Sequence, residues 1–106
     1  MLLSNAFSLQ MIDLSKPGSI SVKPLSVNET IVLFKESGLE SCVGHAEAAA
    51  KLSGILGIDV TMNRKSTLLT TGQSIVVAQV TGGRLPEGAL TVPAEYEIKF
   101  LLVTIQ

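Results

Sequence analysis

Four stretches of this chain carry side chains suited to chemistry on a phosphate group. Gly82-Gly83-Arg84-Leu85-Pro86-Glu87-Gly88 puts three glycines and a proline into seven residues, which forces an irregular turn. That turn holds an arginine and a carboxylate three residues apart, and Gln79 stands just before it. The chain's other arginine lies in the cationic run Asn63-Arg64-Lys65. Gly44-His45 carries the only histidine, the side chain that exchanges a proton near neutral pH. Asn5, Ser8 and Gln10 offer donors and acceptors close to the start of the chain. Each stretch taken singly also fits a solvated turn, since charged and polar loops are usually no more than soluble surface.

The elements around them decide whether they can meet. Met1 to Ser4 reads as a short strand, so Asn5, Ser8 and Gln10 follow its carboxyl end, where ligands sit in α/β sheets. A short helical piece is expected near Leu9 to Ile12, and a strand over Ile20 to Lys23. Ser26-Val27-Asn28-Glu29 has the form of a capping box and opens a helix that runs to about Ser37 and stops at Gly38. Leu39 to Val43 reads as a short strand. Gly44-His45 then opens a second helix that ends at Gly57, so His45 stands where free N–H groups and a partial positive charge favour an anion. The spacing between Asp59 and Thr71 favours neither helix nor sheet, with a short strand expected near Ser66 to Leu69. Ser74 to Val80 is the most strand-like run, and Glu97 to Ile105 is apolar on both faces, as in a central strand. Strands interleaved with helices predict an α/β fold: one small domain over residues 1–106, with a mixed sheet of about five strands packed by helices.

Composition narrows the function classes. The chain has 106 residues, 46% hydrophobic and only 16% charged, which describes one globular domain. So little charge on a small domain points to apolar surface covered by a partner, most simply a second copy. A net charge of −1 leaves no basic face for long nucleic acid. A small anionic ligand needs only a few local cations and backbone N–H groups. One cysteine, Cys42, permits no internal disulfide and fits a reducing cytoplasm. One His and one Cys supply no zinc spacing, and the scattered carboxylates match no calcium loop, so no metal or other cofactor is expected. No apolar run reaches the roughly 18 residues of a membrane helix, and the first residues lack the pattern of a signal peptide.

Taken in order, Asn5-Ala6-Phe7-Ser8, Val43-Gly44-His45, Asn63-Arg64, Gln79 and Arg84-Leu85-Pro86-Glu87-Gly88 resemble the viral type III anti-CRISPR ring nucleases and their cellular relatives. The resemblance runs from Ser4 to the last strand; its specificity lies in the ordered combination, not in any single motif. It implies a symmetric homodimer in the cytoplasm that binds cyclic tetra-adenylate, the messenger of type III CRISPR complexes. It implies cleavage of that ring, without a metal, to linear di-adenylate with a 2′,3′-cyclic phosphate end. By position His45 matches the family's catalytic histidine and Glu87 its essential glutamate. Asn5, Ser8, Gln10, Gly44, Arg64, Gln79 and Arg84 match ligand-binding positions. Gln10 departs from some relatives, which carry asparagine there, and Thr81-Gly82-Gly83 is richer in glycine. The residue types suit the reaction independently: a histidine can protonate the leaving 5′-oxygen, and arginines and helix N–H groups can stabilise a pentavalent phosphorus. Glu87 could orient either His45 or the attacking 2′-hydroxyl. The alternative is a protein that sequesters the cyclic nucleotide without cutting it, or one that merely shares the fold.

Overall fold

The computed structural model describes every residue except Leu14, Lys16 and 82–96. Helix α1 spans Val27–Ser37 because its first turn is closed from both sides. Ser26 Oγ accepts from the Glu29 N–H at 3.0 Å, and Glu29 Oε1 accepts from the Ser26 N–H at 3.0 Å. The latter bond holds the Glu29 carboxyl below the usual carboxylate range. Helix α2 spans Ala46–Leu56 and ends on Gly57, whose φ of 65° is the left-handed conformation that glycine adopts without strain.

Five strands form one sheet in the order β2-β5-β4-β1-β3. They are β1 (Leu2–Ser4), β2 (Ile20–Leu25), β3 (Glu40–Ser41), β4 (Ser74–Thr81) and β5 (Glu97–Ile105). β1 lies parallel to both β3 and β4, with Leu3 opposite Ser41 and Val76, while β5 runs antiparallel to β2 and β4. This is the expected mixed α/β sheet, and β5 lies inside it between β2 and β4, the central place expected for it.

Alternation sorts the strand residues to two faces. Leu3, Val76, Ala78 and Phe100 pack with Phe34 of α1 and with Ala49, Leu52 and Leu56 of α2. Ile75, Val77, Val103 and Ile105 turn the other way and are met by Leu69, Phe7, Met11 and Ile12. Among the described residues, one face is therefore covered by two α-helices, the other by irregular chain and the 3-10 turn Leu9–Met11. Among the described residues no helix is long and apolar enough to cross a membrane.

Two local expectations need correction. β2 runs past Lys23 through Pro24 to Leu25. Ser19 and Gln106 exchange two backbone hydrogen bonds, at 3.3 and 2.8 Å. Alternation from that pair turns the backbone groups of Ile20, Val22 and Pro24 away from β5, toward the outer margin of the sheet. Pro24 thus stands where its missing N–H removes no ladder bond. The second correction is the strand near Ser66 to Leu69, which does not form. Leu69 makes only an isolated bridge to Ile12, and residues 61–67 carry no regular structure.

Those residues instead close the outer margin of β3. Glu40 and Cys42 donate their N–H groups inward to Met1 and Leu3 of the first strand region, so Ser41 and Val43 present theirs outward. Asn63 satisfies both outward carbonyls: its N–H donates to Val43 at 2.8 Å and its Nδ2 donates to Ser41 at 2.8 Å. The Ser41 hydroxyl accepts from the Val43 N–H at 3.2 Å and donates to the Thr61 carbonyl. Side chains therefore do here what a further strand would do elsewhere.

Candidate functional site

The parallel strands β1, β3 and β4 share one direction, so their carboxyl ends lie together. Asn5 follows β1, Gly44 and His45 follow β3, and Gln79 lies near the end of β4. The fold thus brings three of the stretches singled out in the sequence to one end of the sheet, where open α/β sheets bind ligands. Residues 82–96 follow β4, and Arg84 and Glu87 lie outside the described residues.

Ser4 shapes the start of the site. Its hydroxyl donates to the Ala6 carbonyl at 2.8 Å and accepts from the Ala6 N–H at 3.2 Å, turning the chain at the end of β1. Half-buried Asn5 then reaches across to the next parallel strand, and its Oδ1 accepts from the Gly44 N–H at 3.2 Å. His45 is the N-cap residue of α2, in extended conformation with φ −135° and ψ 134°. Its carbonyl accepts the first helical bond, from the Ala49 N–H at 3.0 Å, and its side chain makes no capping bond. The imidazole is exposed at the mouth of the helix, beside N–H groups that no side chain of the cap engages.

Gly44 makes room for a cation. A Cβ at this position would lie 3.4 Å from the Arg64 Nε and 3.7 Å from its Cγ. The arginine side chain therefore lies over the bare backbone of the Gly44-His45 turn. Glycine is used here for its lack of a side chain, not for an unusual backbone angle, since its φ is not positive. Arg64 and the helix start present positive charge from two directions at one exposed spot, an arrangement that suits a phosphate. Nearby, Lys65 Nζ bonds Glu40 Oε1 at 2.8 Å; this pairing lowers the Glu40 carboxyl and raises the Lys65 ammonium from their ordinary values.

Ser8 and Gln10 are placed differently. The Ser8 hydroxyl accepts from the Gln10 N–H at 3.1 Å and caps the turn Leu9–Met11. This piece travels along the helix-free face toward the opposite end of the sheet. There Leu9 and Ile12 join Ile20, Leu69 and Ile105 around a cavity of about 440 Å³. Among the described residues no hydrogen bond joins Ser8 or Gln10 to Gly44, His45 or Arg64. This cavity, which Asp13, Thr70 and Thr71 also line, takes no wall from Asn5, Gly44, His45 or Arg64, and the chemistry follows the polar cluster. Gln79 is exposed, opposite Lys99 of β5, on the same sheet face as Ile75 and Val77.

Asn63 and Ser41 were given no role by residue type alone. Asn63 stood in the cationic run without a partner to suggest one, and Ser41 looked like an ordinary strand residue. Their bonds join positions about 20 residues apart, a distance that no local pattern encodes.

No curated protein matches the sequence of this chain. Among solved structures, the fold is similar to that of B116 of Sulfolobus turreted icosahedral virus, with a TM-score of 0.73. The likeness covers 97% of each chain at 23% sequence identity, and so shows a shared fold. The STIV B116-like family model matches residues 1–102, nearly the whole sequence, and the chain belongs to the STIV B116-like family.

Proposed function

We propose that this protein is a ring nuclease that binds cyclic tetra-adenylate and cleaves it, without a metal ion, to linear di-adenylate with 2′,3′-cyclic phosphate ends, so switching off type III CRISPR signalling. The observation that carries the reading is the meeting of His45, the start of α2 and Arg64 at the carboxyl ends of parallel strands. The family supports it, since the STIV B116-like family is that of the anti-CRISPR ring nuclease.

The chemistry follows from the ligand's own structure. A ribose 2′-oxygen attacks the adjacent phosphorus, its proton passes to solvent water, and the bond from phosphorus to the next 5′-oxygen breaks. The 2′,3′-cyclic phosphate remains on one side, and His45 gives a proton to the departing 5′-oxygen on the other. Arg64, Arg84 and the N–H groups of α2 stabilise the charge that builds on phosphorus. The nucleophile is tethered beside its target, so a large part of the barrier is removed by proximity alone. Glu87 orients either His45 or the 2′-hydroxyl. Asn5, Gly44 and Gln79 shape the wall that receives the ring; Ser8 and Gln10 stand apart from the His45 cluster in the folded chain, so their expected contact with the ring is not part of this wall. A two-fold dimer presents two such sites to a ring with its own two-fold axis, which accounts for two cuts and equal halves.

The test is incubation with cyclic tri-, tetra- and hexa-adenylate in EDTA, followed by chromatography. The expected result is di-adenylate bearing a cyclic phosphate, from the tetra-adenylate. Activity lost in EDTA and restored by a divalent metal would overturn the mechanism. Tight binding with no product in a single turnover would make the protein a sequestering one.

A further inference from the structure

Arg64 has no helix or strand to hold it, yet its side chain lies against one backbone turn. The residues on either side of it explain how. Asn63 bonds β3 and its extension twice, through its N–H to Val43 and its Nδ2 to Ser41, both at 2.8 Å. Buried Ser41 ties in Thr61, and Lys65 bonds Glu40 at 2.8 Å. The Cys42 sulfur lies 3.5 Å from the Thr67 hydroxyl. Residues 61, 63, 65 and 67 are therefore all fastened to the stretch 40–43. Arg64 falls between two fastened residues, beside the glycine that leaves it space.

From this geometry we propose that Asn63 is a positioning residue that holds Arg64 over the Gly44-His45 turn, where it meets the phosphate of the bound ring. The identity of the ligand rests on the ring-nuclease reading; the positioning itself does not. Asn63 touches no reacting group and acts through Arg64. Removing its side chain deletes the bond to Ser41 and leaves only the backbone bond to Val43 beside Arg64, which loosens the arginine locally, while Asn63 is exposed and fills no core. Asn63→Asp keeps the size but has no donor for the Ser41 carbonyl, so it should behave as Asn63→Ala does.

The experiment has two arms. In the ligand-free protein, the ¹⁵N relaxation of Arg64 Nε and the exchange of the residue 63 amide are measured in wild type and in both variants. Both variants should show a more mobile Nε and faster amide exchange, with the amides of α2 unchanged. In the second arm, equilibrium binding of cyclic tetra-adenylate is measured for Asn63→Ala, Arg64→Ala and the double variant. Asn63→Ala should weaken binding about five-fold, the usual effect of one hydrogen bond. In the Arg64→Ala background it should cause no further loss, since the two act as one unit. An equal loss in both backgrounds, or no loss in the single variant, overturns the proposal. If the wild-type protein binds no cyclic tetra-adenylate, the function fails. Positioning is then judged by the first arm, where an unchanged Nε in both variants overturns it.

Discussion

Asn5 Oδ1 accepts a hydrogen bond from the Gly44 N–H at 3.2 Å, across 39 residues of sequence. The bond pins the residue after β1 to the residue before His45. It also satisfies a backbone donor at the end of β3 that would otherwise be left without a partner in a half-buried place. Asn5→Ala should therefore cost about 1 kcal/mol, and more if the Gly44 N–H stays dry. For a domain of this size that lowers Tm by about 4–8 °C. Asn5→Asp keeps the acceptor and should retain most of the stability. Thermal unfolding of the two variants checks this; equal losses would mean that the acceptor atom is not what matters.

His45→Ala should lower the single-turnover cleavage rate by about 10²–10⁴-fold, the range for a general acid. Ring affinity should change far less, because Arg64, Arg84 and the helix N–H groups still hold the phosphates. Arg84→Ala should weaken binding as well as rate. Single-turnover cleavage measured beside equilibrium binding separates the two. A folded His45→Ala protein that cleaves at the wild-type rate would make the histidine structural and sink the mechanism.

Acid should loosen the fold by a route that can be traced to named groups. The carboxyls of Glu29, Glu40 and Asp13 are all held below their ordinary values, by bonds from Ser26, Lys65 and Ser15 respectively. A carboxyl depressed in the folded state stabilises it at pH above the unfolded value, and that stability is lost as pH falls through the folded value. With ordinary values of 4.5 for the glutamates and 3.8 for the aspartate, the loss belongs to the acid side of those figures. Tm measured from about pH 5 down to about pH 3 should fall steadily. Glu29→Gln, which can still accept the Ser26 N–H, should make the fall shallower. An unchanged slope would show that the capping carboxylate does not titrate with folding.

The reading with two sites per ring requires two copies of the chain. Light scattering should give twice the 11.2 kDa mass of one chain at micromolar protein. A monomer at that concentration would remove the basis for paired cuts.

The parts of the fold that the sequence made legible are those built from neighbours in the chain. The capping box Ser26 to Glu29, the stop at Gly57, and the alternation in β4 and β5 each involve residues within one turn or one strand. Gly44-His45 was legible as a helix start for the same reason. Residues 61–67 were not, because Ser41, Asn63 and Thr67 bond across 20 to 25 residues and override the local preference. The site divides the same way. His45 announces itself by type and by its place at a helix start, whereas the link from Asn5 to Gly44 and the room that Gly44 leaves for Arg64 exist only once the chain is folded.

The two margins of the sheet have an unequal consequence for assembly. At β3 the outward carbonyls of Ser41 and Val43 are already taken by Asn63, and the Val43 N–H by the Ser41 hydroxyl. At β2 the backbone groups of Ile20 and Val22 face outward, with Val22 53% exposed and Pro24 offering no donor. In the language of polymer chemistry the β3 margin is a capped end. Among the described residues, an added strand finds the β3 margin largely occupied, which disfavours growth of the sheet from that side into a fibre.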